Sequence, residues 1–133
     1  MVYMLRMSRA MGQGYLAQGL GIADALAALI EQESPAVVLL GHTIDSLGFG
    51  PAVAATLGLG FASDVTALGW EDGPVATRGA YGGKVEVELD FPGKETTLLM
   101  LRAGAFEAAE TSGDDCFTSA HALPWTWIYH EVG

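Results

Sequence analysis

The sequence has little cysteine and few cationic side chains, and each shortage excludes a class of protein. Cys116 is the one cysteine among 133 residues. It leaves no internal disulfide, which favours a reducing, cytoplasmic setting. Six lysines and arginines stand against 16 acidic residues, for a formal net charge of −10. Nucleic-acid binding needs cationic groups that face phosphates, so we expect no nucleic-acid partner.

Long apolar runs are missing as well. No run approaches the ~20 residues that a helix needs to cross a bilayer. The start of the chain also has no apolar block followed by a cleavage site. The expectation is a protein with no membrane insertion and no signal peptide, located in the cytoplasm.

The common catalytic motifs are also absent. The sequence has no GxGxxG run at a helix start, no P-loop and no CxxC, and its three histidines (His42, His121 and His130) lack metal-ligand spacing. Ser46 is not in a nucleophile elbow. Asp114 and Asp115 would oppose formation of a thiolate at Cys116. We predict that the chain is not an enzyme and holds no metal.

What the sequence does contain is an apolar run at residues 36–40, which is too short for a helix. Such a run is typical of a strand buried on both faces of a parallel sheet. Gly41 ends it, and a loop of small and polar residues leads to Pro51. Proline is favoured at the first helical position, so the pattern predicts a helix from Pro51. The strand, the loop and the helix from Pro51 form part of a βαβ unit, and a helical stripe over residues 16–32 precedes the strand.

The second half of the chain has the pattern of antiparallel strands. Asp72-Gly73 separates two β-prone runs and indicates a hairpin. Apolar and acidic residues alternate over 85–91, and residues 96–101 form a buried-type strand. The predicted fold is therefore α/β, a partial parallel βαβ sheet extended by an antiparallel meander.

We expect residues 1–133 to form a single domain with two atypical ends. Residues 1–14 show no clear period and are predicted to be a loosely docked lead-in. Residues 111–133 form a divergent tail, whose aromatic run at 123–130 is predicted to be a strand that packs on the sheet or on a second copy.

The loop at residues 41–50 is the candidate ligand site. Its glycines would let a phosphate approach backbone N–H groups at the positive end of the following helix. The candidate residues are Gly41, His42, Thr43, Asp45, Ser46, Gly48 and Gly50. The loop contains no lysine or arginine, and Asp45 would repel a phosphate, so a plain connection between strand and helix remains the favoured interpretation.

Several segments resemble, in the same order, the N-terminal domain of the electron transfer flavoprotein alpha subunit. They are Val38-Leu39-Leu40-Gly41, Gly50-Pro51-Ala52-Val53-Ala54-Ala55, Ser63-Asp64-Val65-Thr66-Ala67-Leu68, Thr77-Arg78, Tyr81-Gly82-Gly83 and Leu101-Arg102-Ala103-Gly104-Ala105-Phe106-Glu107. The resemblance runs from about residue 25 to residue 110, within a family-like core at 15–110. Where the family usually has proline, this chain has Gly79 and Ala103, and Leu47-Gly48 replaces an Arg-Asp pair.

The resemblance implies a Rossmann-like sheet and a structural, partner-binding role in electron transfer, without a redox centre in this chain. In the family, FAD is held mainly by a second domain that has no counterpart here, so the expected partner is a flavin-bearing subunit. In the related beta subunit, a Gly-x-x-x-Ile-Asp stretch similar to residues 41–45 holds AMP. A small adenine-nucleotide-binding module is therefore the alternative function.

The resemblance also implies an oligomer. The family's first strands and helices, before residue 25, have no match in this sequence, which would leave the central strand without a neighbour on one edge. An unpaired edge and a bare apolar face predict self-association, and a two-fold homodimer is its commonest form.

Overall fold

The computed structural model describes residues 2–4 and 19–107, in which six strands form one open sheet in the order β1-β2-β6-β3-β4-β5. The elements are β1 (Val2–Met4), α1 (Gly19–Glu33), β2 (Val37–Gly41), α2 (Ile44–Leu57), β3 (Gly60–Trp70), β4 (Pro74–Ala80), β5 (Val85–Leu89) and β6 (Thr97–Leu101). Parallel and antiparallel pairs share the sheet, so the predicted α/β class is confirmed. No helix in this part of the chain is long and apolar enough to cross a membrane.

Strand β6 occupies the centre of the sheet, which corrects the predicted topology. It pairs in parallel with β2 on one side and with β3 on the other. The sequence pattern predicts this strand at the end of the antiparallel meander. Its apolar stretch Leu98-Leu99-Met100 is fully buried, and a strand that is apolar on both faces is stable only where both faces are covered.

Strand β1 lies beside β2, which corrects a second prediction. Val2–Met4 pairs in parallel with residues 37–39. The chain before residue 25 therefore supplies a strand, and the edge of β2 is paired. A strand of three residues is too short to show a period in the sequence.

Both described helices contribute to one apolar cluster on one face of the sheet. Leu26 and Ile30 of α1, and Phe49 and Val53 of α2, belong to it. The strands complete the cluster with Val38, Leu40, Leu98 and Met100. The predicted helical stripe is confirmed, and α1 ends before Ser34, whose φ of 45° stops the helix ahead of Pro35.

The antiparallel part of the sheet is a meander of β3, β4 and β5. The predicted hairpin at Asp72-Gly73 is confirmed, since β3 and β4 pair on either side of it. A second turn begins at Tyr81, where three successive residues have φ of 50°, 70° and 82°. The register of β3 shifts on both sides of Val65, so Ser63 and Asp64 form a bulge.

The predicted tail strand at residues 123–130, Cys116, His121 and His130 lie outside the described residues.

Candidate functional site

The predicted ligand loop is mostly helix. Helix α2 begins at Ile44, so Asp45, Ser46, Gly48 and Gly50 are helical and Pro51 lies inside the helix. The prediction that the helix starts at Pro51 is therefore wrong. The loop shrinks to His42 and Thr43, which join β2 to α2.

A capping box explains the early helix start. Thr43 is extended, with φ −128° and ψ 166°, and its side chain accepts a hydrogen bond from the Ser46 backbone N–H at 3.2 Å. The Ser46 hydroxyl in turn accepts from the Thr43 backbone N–H at 3.0 Å. Serine at the position where glutamate or glutamine usually completes this motif makes the signal hard to recognise in the sequence.

The candidate residues of the loop fall into three groups. Gly41, Thr43 and Ser46 come together but bond to one another, since Ser46 Oγ also lies 2.6 Å from the Gly41 carbonyl oxygen. Asp45 and Gly48 face solvent. Gly50 is buried, and a Cβ there would lie 3.1 Å from Met100 Sδ. The N–H groups of Thr43 and Ser46 that a phosphate would use are thus partly occupied by the cap.

We expect Thr43→Ala to lower the free energy of unfolding by about 0.5–2 kcal/mol, because the Ser46 N–H loses its acceptor. Urea denaturation followed by circular dichroism measures the change. Thr56→Ala is the matched control, since Thr56 is exposed on the same helix. Equal effects of the two substitutions would contradict the cap as the start of α2.

His42 is the remaining candidate residue, and it lies beside a different site. Its backbone N–H donates to the Leu101 carbonyl at 2.7 Å, which holds it next to the end of β6. Its ring nitrogen Nδ1 is buried and has no hydrogen-bond partner. Within residues 2–4 and 19–107, no cluster of three His, Cys, Asp or Glu side chains that could hold a metal ion is found.

The site that sequence reasoning missed centres on Arg102 and Asp64. Arg102 follows the carboxyl end of β6, and Asp64 projects from the bulge of β3 with φ of 60°. The guanidinium donates twice to the carboxylate, Nε to Oδ1 at 2.8 Å and Nη2 to Oδ2 at 2.6 Å. A bulge commonly re-aims a side chain in this way, and a bidentate pair fixes its geometry.

The hydrogen bond from Arg102 lowers the pKa of the Asp64 carboxyl below its usual range. Burial opposes this shift, while the positive charges of Arg102, His42 and Arg78 add to it. The same hydrogen bond raises the pKa of Arg102. Arg102 is therefore the main partner of the Asp64 carboxylate at the end of the parallel strands.

A cavity of about 550 Å³ lies between this ion pair and the turn after β4. Its lining includes Asp64, Arg102, Arg78 and the left-handed turn at Tyr81-Gly82-Gly83. Arg78 Nη1 lies 3.4 Å from Ser63 Oγ, which is a long contact. Four of the six segments that carried the sequence resemblance, at residues 63–68, 77–78, 81–83 and 101–107, thus contribute to one cavity.

The signal for this site is weak in the sequence. Asp64 and Arg102 are 38 positions apart, and nothing in their local pattern links them. The one usable sign is that Arg78 and Arg102 both belong to the family-like segments of a chain with only six lysines and arginines.

We expect the carboxyl group of Asp64 to titrate below the ordinary pKa of aspartate, and Arg102→Gln to raise its pKa towards that value. Because the folded-state pKa is depressed, the pair's contribution to stability is present above the unfolded-state pKa and is lost as the pH falls through the folded-state pKa. Carbon-detected NMR of the carboxyl group measures both values. Lys94→Gln is the control, and an Asp64 pKa unchanged by Arg102→Gln would contradict the assignment.

An open sheet with a parallel centre, two helices on one face and a polar cavity near the ends of its strands defines a Rossmann-like α/β domain. The profile of the electron transfer flavoprotein domain family matches residues 8–116, and the chain belongs to that family.

Relatives agree with this assignment. The chain is 43% identical over 99 residues to an electron transfer flavoprotein subunit alpha of Methylophilus methylotrophus, covering 74% of this chain and 31% of the relative. It is 38% identical over 92 residues to the subunit of that name in Mycobacterium leprae (strain TN), covering 69% and 28%. It is also 32% identical over 91 residues to Protein FixB of Clostridium saccharobutylicum, covering 66% and 27%. The chain thus spans 27–31% of the length of these relatives, and the resemblance to the alpha subunit is confirmed.

Proposed function

We propose that residues 1–133 act as a single alpha-subunit-like domain that binds a partner in electron transfer. In this proposal the chain is not an enzyme, works in the cytoplasm, has no redox centre of its own and docks on a flavin-bearing subunit. The observation that carries the proposal is the family match over residues 8–116 to proteins named as the alpha subunit. The geometry supports it because four of the six family-like segments line one cavity near the end of the parallel strands.

The proposed docking surface is the edge where β2 and β6 end. Three exposed apolar side chains follow these strands: Ile44 is 87% exposed, Leu47 is 45% exposed and Phe106 is 41% exposed. Arg102 lies on the same edge, directly after β6. Apolar side chains with an arginine among them are typical of protein interfaces.

Two predictions from the sequence stay outside this proposal. The homodimer rested mainly on an unpaired edge of β2, and β1 occupies that edge. The adenine-nucleotide module rested on an open loop at residues 41–50, most of which is helix. No other contact of the described residues favours either one.

Binding to a purified flavin-bearing subunit, one that contains the FAD-holding domain of the alpha-subunit family, tests the proposal, with sedimentation velocity as the measurement. We expect a complex, and we expect Leu47→Ser to weaken it at least tenfold. Val85→Ser is the matched control, because Val85 is 47% exposed on β5, the edge strand that lies three positions from β6 in the sheet. No complex with the wild-type chain, or equal weakening by both substitutions, would contradict the docking surface.

The absence of a redox centre has a separate test. We expect the purified chain to show no flavin band in its visible absorption spectrum, because FAD is held mainly by a second domain in the family and this chain resembles the first domain. A flavin band at stoichiometric amount would overturn this part of the proposal.

A further inference from the structure

Arg78 forms no ion pair with a carboxylate of the described residues. It lies in the middle of β4, between β3 and β5, and its side chain is partly buried. In the part of the chain that the structure describes, the ion pair joins Arg102 to Asp64, and Arg78 has only the 3.4 Å contact to Ser63 Oγ. A partly desolvated guanidinium with unused donors favours an anion.

The neighbouring carboxylates do not meet this need. Both oxygens of Asp64 accept hydrogen bonds from Arg102, so this carboxylate is already engaged. Glu86 also lines the cavity, but it lies opposite Gly79 in the register of β4 and β5, whereas Arg78 lies opposite Val87. Adjacent positions on a strand point to opposite faces, which explains why Arg78 and Glu86 form no ion pair.

The turn after β4 leaves the cavity open to a ligand. Tyr81, Gly82 and Gly83 all have left-handed backbones, and a Cβ at either glycine would have nothing within 4 Å. The Tyr81 side chain is 82% exposed beside this opening. A volume of about 550 Å³ lies within the range of ligand pockets in proteins.

We propose that this cavity binds a single carboxylate group, which pairs with the guanidinium of Arg78. A monoanion matches the single positive charge of Arg78, whereas a phosphate dianion would bring one negative charge more than this guanidinium neutralises. The planar fork of arginine also fits the two oxygens of a carboxylate. The carboxylate comes either from a free carboxylic acid or from an acidic side chain of a protein, and the site does not depend on the docking surface proposed above.

Titration with glutarate, followed by the amide NMR signals of Gly82 and Gly83 and the Arg78 Nε signal, tests this site at constant ionic strength. We expect saturable shifts with the wild-type chain and their loss in Arg78→Gln. Arg78→Lys keeps the charge without the fork and should bind several-fold more weakly.

Lys94→Gln is the control, because Lys94 donates to the Gly58 carbonyl at the other end of α2. Its titration should match the wild type. The capped peptide acetyl-Gly-Glu-Gly-amide is the second probe: tighter saturation than glutarate assigns the site to a protein side chain, and weaker saturation assigns it to a free acid. Shifts that never saturate with either probe, or that persist in Arg78→Gln with an otherwise native spectrum, would overturn the proposal.

Discussion

Leu99→Ala is expected to lower the free energy of unfolding by about 2–5 kcal/mol. Leu99 is fully buried on β6, with β2 on one side and β3 on the other, and it belongs to a cluster with Val37, Leu39 and Val65. Removing its side chain loses apolar burial and leaves a cavity in the centre of the sheet. Urea denaturation measures the loss, which is a large part of the 5–15 kcal/mol typical of a domain.

Leu68→Ala is the control for this substitution. Leu68 is an exposed leucine in the same sheet, so its truncation should change the free energy of unfolding by no more than about 0.5 kcal/mol. If the two substitutions had similar effects, β6 would not be the central strand of the core.

The same strand shows what the sequence could predict and what it could not. The apolar residues 96–101 indicated a buried strand, because composition and length are local properties. Their place in the sheet was not predictable from them, since β6 pairs with β2, whose residues lie 60 positions earlier, as in the Val37 and Thr97 pair. Pairing between distant segments leaves no periodic signal in either segment.

The start of α2 shows how two local signals compete. Pro51 suggested the first turn of a helix, but it lies well inside α2 and supplies no N–H for the carbonyl of Leu47. The capping box of Thr43 and Ser46 determines the start instead. The glycines that suggested a ligand loop, Gly48 and Gly50, are helical as a result, and the candidate site at residues 41–50 was placed on the wrong kind of structure.

The charged cavity could not be predicted from the sequence and became visible only in the folded structure. Asp64 is aimed by a bulge, and Arg102 and Arg78 come from two other parts of the sequence. The resemblance had marked all three segments without showing that they meet. The family resemblance therefore identified the segments that contain these three residues, and the sheet topology was needed to show that the residues lie close together.

Gly60→Ala is expected to lower the free energy of unfolding by about 1–3 kcal/mol, because the site is already fully packed. Gly60 is buried at the start of β3, opposite Thr97 of β6. A Cβ at Gly60 would lie 2.9 Å from Phe91 Cδ1 and 2.9 Å from Thr97 Oγ1, which is closer than such atoms approach in proteins. Either the Phe91 ring or the pairing of β3 with β6 must shift.

Gly69→Ala is the control that distinguishes the effect of this close contact from the general effect of replacing a strand glycine with alanine. Gly69 lies on the same strand, and a Cβ there would be 3.9 Å from Val75 Cβ, an ordinary contact. We expect this control to be neutral or stabilising, because alanine reduces the conformational entropy of the unfolded chain. Urea denaturation of both variants is the measurement, and equal losses of stability would show that the contact at Gly60 is not the cause.

A double substitution identifies the neighbour that resists the added methyl group. In a Phe91→Ala background, Gly60→Ala should cost clearly less than in the wild-type chain, because one of the two close contacts is gone. The difference between the two costs is the coupling energy of the pair, and neighbours in contact typically show about 0.5–3 kcal/mol. A coupling energy near zero would assign the strain to Thr97 and the β3–β6 pairing instead. A Gly60→Ala variant with the wild-type free energy of unfolding would contradict the packing of Phe91 over the start of β3.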